Sequence, residues 1–416
     1  MSGPRDGYGR WRVAVTGVGL VCPAGRDTGA LWRALLGARG TATTVTDFDT
    51  GGLTVRFACR VRGFDAGARL PAKTVRRTDP FAQYAACAAL DALANARVRE
   101  RGDDGGAVLC GVGGAGDHTW SAQSRALHEQ GPAAVDRLTW PRALPYAAAS
   151  LIARLAGRTG PCMTVSTACA SGTTAIGEGT RLIRDGTCTT VLAGGTEAPV
   201  TRLSMAAFAR TGALSTRNDA PERACRPFDR HRDGYVLGEG AAFVHLERLA
   251  AARARGATVL AEVAGYAQTC DAHHLTAPRP DGAVAAACIT AALDDARLAP
   301  AGIRQVNAHG TGTVLNDRAE TAALLRAFAG TPPPVTAPKG VLGHLMGAAG
   351  AVEAVAAALS AEHGLAPPVA NYETPDPRCR LDVVSGEPRE VGRGPVLSNS
   401  FGFGGHNACL VLAPPP

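Results

Sequence analysis

The sequence lacks several features that would place it quickly. No uninterrupted apolar run approaches the roughly 20 residues of a membrane span, and Val13–Cys22 is short and broken by Gly17 and Gly19. The polar stretch Met1–Arg12 before that run does not fit a secretory signal, so the expectation is a cytoplasmic protein without membrane contact. The basic excess is only +7 and is scattered among acids. No dense basic stripe exists to neutralise phosphates, which argues against nucleic acid as a partner. The twelve cysteines form no CxxC pair and no Cys/His cluster at metal-ligand spacing. Neither a disulfide framework nor a metal site is expected.

The chain offers 416 residues with 46% hydrophobic content, enough for one large core or two fused ones. Short β-branched runs, Arg12–Thr16, Thr189–Leu192, Phe243–Leu246 and Val259–Val263, alternate with Ala-rich segments of helical length, Pro80–Ala96 and Ala283–Ala296. That alternation predicts an α/β fold with strands covered by helices. A short Ala/Arg helix closed by Gly256 separates two halves, 1–256 and 257–416. Each half ends in strand-like sequence, Ala241–Leu246 and Ala408–Leu412, which is compatible with a duplicated fold. Thr41–Thr78 is irregular and charged and reads as a surface insertion.

Cys169 lies where the β-prone run Met163–Val165 passes into a small-residue helix. A thiol there meets the positive end of a helix dipole, which predicts a lowered pKa. Ala168, Ala170, Ser171 and Gly172 leave room for a substrate and backbone N–H groups for an oxyanion. A buried structural cysteine in a tight turn is the competing reading. His309, in Val306-Asn-Ala-His-Gly-Thr-Gly-Thr313, and His344, in Lys339-Gly-Val-Leu-Gly-His-Leu-Met-Gly-Ala-Ala-Gly350, each sit at an element junction among glycines. Neutral imidazoles there can donate to a thioester carbonyl or take a proton. Lys339 and Glu353 bracket His344 in sequence and can pair to hold it, or be solvated charges. The loop Ser398–Asn407 contains three glycines and two phenylalanines, and reads either as a ligand-facing loop or as a structural turn.

Further motifs accompany these: Arg226-Pro-Phe-Asp-Arg-His-Arg-Asp-Gly-Tyr-Val-Leu-Gly-Glu-Gly240, Asp271-Ala-His-His-Leu-Thr276, and Asn316-Asp-Arg-Ala-Glu320 after the first histidine. Together, and in this order, they resemble the elongating, decarboxylating β-ketoacyl synthases of the thiolase superfamily, along nearly the whole chain. The resemblance implies a thiolase-like pseudo-duplicated five-layer α-β-α-β-α fold. It implies an acyltransferase that takes an acyl chain from acyl carrier protein onto Cys169, then condenses it with malonyl after loss of carbon dioxide. No bound cofactor is implied, since substrates ride on the phosphopantetheine of the carrier. His309 and His344 would assist decarboxylation and hold the enolate. Backbone N–H groups of Cys169 and Phe403 would hold the oxyanion, and Lys339 would orient the second histidine with Glu353 as its partner. Thr311 and Thr313 match pantetheine-contacting positions. Phe403 matches an aromatic gate, Phe401 lies beside the substrate, and Asp317 and Glu320 match supporting acids. Arg76, Arg77 and Arg210 correspond to a carrier-facing rim.

Two residues depart from the family pattern: Gly340, where serine is common, and His406, where threonine is frequent. The partner chain is expected to be a second copy or a chain-length-factor homologue. A chain-length-factor role for this chain itself is opposed by Cys169. A non-catalytic carrier-binding module remains as a reading from another class. Thiolases carry a second reactive cysteine near the C-terminus, which Phe401–Asn407 does not, and initiating synthases replace one histidine by asparagine.

Overall fold

The computed structural model describes residues 9–99 and 105–416. One half of the principal sheet is built by β1 (Val13–Val21), β2 (Ala107–Val112), β3 (Cys162–Val165), β4 (Thr190–Glu197) and β5 (Gly240–Arg248). The other half uses β6 (Ala261–Cys270), β7 (Gln305–Asn307), β8 (Val335–Thr336), β9 (Val396–Gly402) and β10 (His406–Ala413). Across the sheet the first half runs β1-β5-β4-β2-β3 and the second β6-β10-β9-β7-β8. Adding five to each label of the first order reproduces the second. Orientations repeat as well: β1/β5 and β5/β4 are antiparallel, and β4/β2 and β2/β3 parallel. Likewise β6/β10 and β10/β9 are antiparallel, and β9/β7 and β7/β8 parallel. Edge to edge, the halves pair at Ala14 opposite Glu262 and Val15 opposite Ala261, and the Leu260 amide donates to the Val15 carbonyl at 2.8 Å.

Side chains alternate along each strand, so each half has two faces to bury. Leu410 and Leu412 of β10 join a central core with Val13, Val15, Val244 and Val352, whereas Cys409 and Val411 face an outer core. Two helices fill the centre, α3 (Ser171–Arg184) and α8 (Ala349–His363), and each packs on strands of both halves. Outside the first half lie α1 (Pro80–Asn95) and α2 (Tyr146–Ala156). Outside the second lies α5 (Ala283–Ala296), against which α6 (Val314–Ala327) packs. The result is five layers, with α4 (Leu249–Ala254) linking the halves. A β-carbon on Gly350 of α8 would meet Thr173 Oγ1 of α3 at 2.1 Å, so only glycine lets the central helices come this close.

Thr41–Thr78 is not a loose surface insertion. Val45, Val55, Phe57 and Cys59 are buried in a cluster with Val200, Met205, Leu214 and Leu237. The Cys59 amide donates to the Leu237 carbonyl at 2.8 Å. The segment looks irregular in sequence because its apolar residues pack against a distant part of the chain rather than in a repeating local pattern.

Candidate active site

Between β3 and α3 a single 3-10 turn, Ala168–Ala170, carries Cys169. Ala168 adopts φ 49°, a left-handed conformation that costs a non-glycine residue energy. Ser171 holds the turn by donating to the Ala168 carbonyl at 2.6 Å and accepting from the Thr167 amide at 2.9 Å. The loop after β9 closes on the turn: a β-carbon on Gly402 would lie 2.9 Å from the Thr167 carbonyl and 3.0 Å from the Cys169 nitrogen. That approach aims the Phe403 amide, together with the Cys169 amide, at the cysteine sulfur.

The expected lowering of the thiol pKa is not what the geometry produces. Burial pushes the Cys169 thiol up to about 11, outweighing the Lys339 charge and the Phe403 N–H that oppose it. Cys169 is 5% exposed, and at neutral pH it rests as a neutral thiol.

His309 follows β7. Its amide and that of Gly310 donate to the two oxygens of Glu320 on α6, each at 2.8 Å, and Asn399 Nδ2 adds a third donor at 3.3 Å. Asp317, one turn earlier, accepts from the Phe228 amide at 2.7 Å and the Gly312 amide at 3.2 Å, and faces Arg232. The two acids thus fix the backbone of the His309–Thr313 turn. Thr311 and Thr313 hydroxyls lie 2.9 Å apart, and Thr313 caps α6.

Lys339 does not orient the second histidine. Its Nζ lies 3.1 Å from His309 Nδ1 and 2.5 Å from Glu353 Oε1, all three buried. An ammonium only donates, so His309 Nδ1 accepts and its proton resides on Nε2. His344 is set differently: its Nδ1 accepts from the Met346 amide at 3.2 Å, which again leaves the proton on Nε2. Burial first, and the nearby Lys339 charge second, hold both imidazoles well below the usual histidine range, so both are neutral. Their rings stand 5.4 Å apart at 85°. Burial also pushes the Glu353 carboxyl up, against the pull of Lys339.

Cys169, His309, His344, Thr311, Phe401 and Phe403 all border one cavity of about 260 Å³. Thr313 borders it too, near Val314 and Leu315 at its apolar mouth. The Phe401 ring is 6.1 Å from that of His309. Lys339, Glu353, Asp317 and Glu320 stand behind this wall as supports. Arg210 ends the helix Arg202–Arg210 immediately before Thr211–Ala213, which line the cavity. Arg76 and Arg77 are exposed after the short helix Ala72–Val75, and neither lines the cavity. Gly340 packs against Ala370, where a β-carbon would meet Ala370 atoms at 3.1 Å, and His406 opens β10.

Two residues without a role in the sequence reading belong to the site. Glu197, at the end of β4, accepts from the amides of Gly113, Ala115 and Gly347 at 2.7, 3.0 and 3.1 Å, tying the turn after His344 to the sheet. Tyr235 lines the cavity with its ring edge-on to His344 at 5.2 Å. It lies inside the quoted Arg226–Gly240 motif, where an aromatic among glycines and charges was the available signal.

Residues 11–252 match the family model described as the beta-ketoacyl synthase N-terminal domain, and residues 260–373 match the corresponding C-terminal domain. The chain belongs to the β-ketoacyl synthase family. It is 41% identical over 405 residues to a 3-oxoacyl-[acyl-carrier-protein] synthase 2 of Synechocystis sp., covering 96% of this chain and 97% of that protein. Among solved structures, the ishigamide ketosynthase/chain length factor superposes with a TM-score of 0.91 at 37% identity, covering 98% of this chain and 100% of that one. A type II polyketide synthase acyl-carrier protein in complex with its ketosynthase bound to the hexaketide gives a TM-score of 0.87 at 28% identity, with coverage of 98% and 100%. This β-ketoacyl synthase is therefore a condensing acyltransferase with the thiolase-like fold, and the chain-length-factor alternative is not favoured. Among the described residues, no helix is long and apolar enough to cross a membrane.

Proposed function

We propose that Cys169 holds the growing acyl chain as a thioester, and that His309 and His344 hold the thioester oxygen of the malonyl unit that extends it. One observation carries this reading: each Nδ1 is already supplied by a donor, so both imidazoles offer Nε2–H beside the thiol in one cavity. In the first half-reaction Cys169 sulfur attacks the carrier-bound thioester, and its proton leaves with the departing pantetheine thiol. The Cys169 and Phe403 amides receive the oxyanion. In the second, the bond between the malonyl methylene and its carboxylate breaks and carbon dioxide leaves. The electron pair moves into an enolate whose oxygen accepts from the two Nε2–H groups. The enolate carbon attacks the acyl-Cys169 carbonyl. The sulfur is expelled and takes a proton from solvent, and the chain is longer by two carbons.

Substrates arrive on the phosphopantetheine of an acyl carrier protein, with Thr311 and Thr313 beside the arm and Phe403 as the movable aromatic between acyl and malonyl sites. No bound cofactor is needed for these steps. A carrier-bound ketosynthase among the similar structures supports this partner. A second chain is supported by the outer edge of β3, unpaired among the described residues, where Met163 is 42% exposed, and by the exposed Tyr146 at the start of α2, which packs on that strand. That chain is a second copy or a chain-length-factor homologue, the latter in keeping with one similar structure. The product is a β-ketoacyl chain for type II polyketide or fatty-acid synthesis. No two cysteines of the described residues form a disulfide, in keeping with a reducing, cytoplasmic setting. The test is to incubate the protein with acyl- and malonyl-carrier and follow both species by mass spectrometry. Acyl-Cys169 followed by a ketoacyl product supports the reading, and no acylated protein would sink it.

A further inference from the structure

Tyr235 is 3% exposed, and its hydroxyl has no hydrogen-bond partner among the described residues. A buried, unpaired hydroxyl carries a desolvation cost that a partner would remove. The ring borders the catalytic cavity, edge-on to His344 on one side and 6.5 Å from Phe208 on the other. Burial, with the neighbouring Cys169 second, pushes the phenol up, so it stays protonated and can donate.

The condensation set out above, on which this inference rests, brings one demanding group into the cavity. The malonyl carboxylate lies a single methylene from the thioester carbonyl that His309 and His344 hold. Among the described residues no lysine or arginine lines the cavity to receive it, whereas Asp233 and Asp271 do line it. Lys339 is committed to His309 and Glu353. Several other lining donors are engaged: Thr211 with the Phe208 carbonyl, Asn316 with Asp317, Asn407 with Asp271, and Thr311 and Thr313 with each other. Tyr235 combines a place against His344 with a buried hydroxyl that has no partner among the described residues.

We infer that the Tyr235 hydroxyl receives the carboxylate of the malonyl unit before carbon dioxide leaves. An O–H donor to a carboxylate makes a strong, charge-assisted bond. A cation at this point would stabilise the ground-state carboxylate more and oppose its loss. A neutral phenol grips the extender and still lets it react. When the carbon–carbon bond breaks, the pair moves to the enolate, neutral carbon dioxide departs, and the hydroxyl keeps its proton.

Tyr235→Phe keeps the ring and removes only the donor, so the melting temperature should hold. With malonyl-pantetheine as extender, KM should rise about tenfold while kcat is kept or raised, and acylation of Cys169 should run at the original rate. Discrimination between malonyl-pantetheine and acetyl-pantetheine, which lacks the carboxylate, should narrow by the same factor. An unchanged malonyl KM, with product formed, overturns the assignment of Tyr235 alone. Equal losses in acylation and condensation also overturn it, because the hydroxyl would then serve the acyl site. Absence of ketoacyl product from the unsubstituted protein would instead sink the condensation reading beneath it.

Discussion

Lys339 Nζ donates to Nδ1 of His309 at 3.1 Å while bound to Glu353, and so reads out on the histidine thirty residues before it rather than on His344, five residues after it. The consequence is a fixed tautomer: the ammonium lets His309 carry its proton only on the atom facing the cavity.

Lys339→Met should release that tautomer and leave the Glu353 carboxyl buried without its cation. We expect condensation to fall by at least about 100-fold and stability to drop by about 3–5 kcal/mol. The double variant Lys339→Met/Glu353→Leu should recover the melting temperature and not the rate. Recovery of both would show the lysine to be a packing element.

The reactivity of Cys169 should follow its burial. A thiol pushed up to about 11 is protonated at neutral pH, and its thiolate fraction grows as pH rises. Alkylation by iodoacetamide should therefore accelerate about tenfold per pH unit between pH 7 and 9. A rate already level below pH 8 would mean that the helix start prevails over burial. Lys339→Met should slow alkylation at fixed pH, because the lysine charge favours the thiolate.

Cys169→Ala should abolish condensation yet keep measurable release of carbon dioxide from malonyl thioesters, since both imidazoles remain. Conversely, His309→Ala and His344→Ala should block condensation while acyl-Cys169 still forms, as seen by mass spectrometry of the intact protein. Failure of both histidine variants to acylate would assign these residues to the first half-reaction.

Reversing the charges of Arg76 and Arg77 together should raise KM for carrier-bound substrate and spare a small pantetheine thioester, with the effect fading as salt is raised. Arg210, beside the cavity mouth, serves as the comparison site. Equal loss with both substrates would remove these arginines from carrier docking.

Much of this was legible in the sequence. Strands and helices such as Ala283–Ala296 carry their own periodicity, and Cys169, His309 and His344 announce themselves by sitting at glycine-rich junctions. What escaped depends on approach from elsewhere. The thiol of Cys169 is buried by the loop at Gly402, more than two hundred residues on, so its raised pKa has no local signature. In sequence Lys339 stands nearest His344, yet it begins the short helix α7 (Lys339–Leu342), and the chain turns at Gly343 before His344. Tyr235 reads as one aromatic in a motif until His344 is found against its ring.

The repeated strand order puts Cys169 and His344 at matching places, each in the connection from the outermost strand of its half to a central helix. The connections that carry Cys169 and His344 are thus the same loop used twice, with different side chains, and both border one cavity. Catalysis in this molecule is consequently a report on assembly: a β-carbon at Gly350, which would drive the central helices α3 and α8 apart, should disturb the Cys169 and His344 walls of the cavity together.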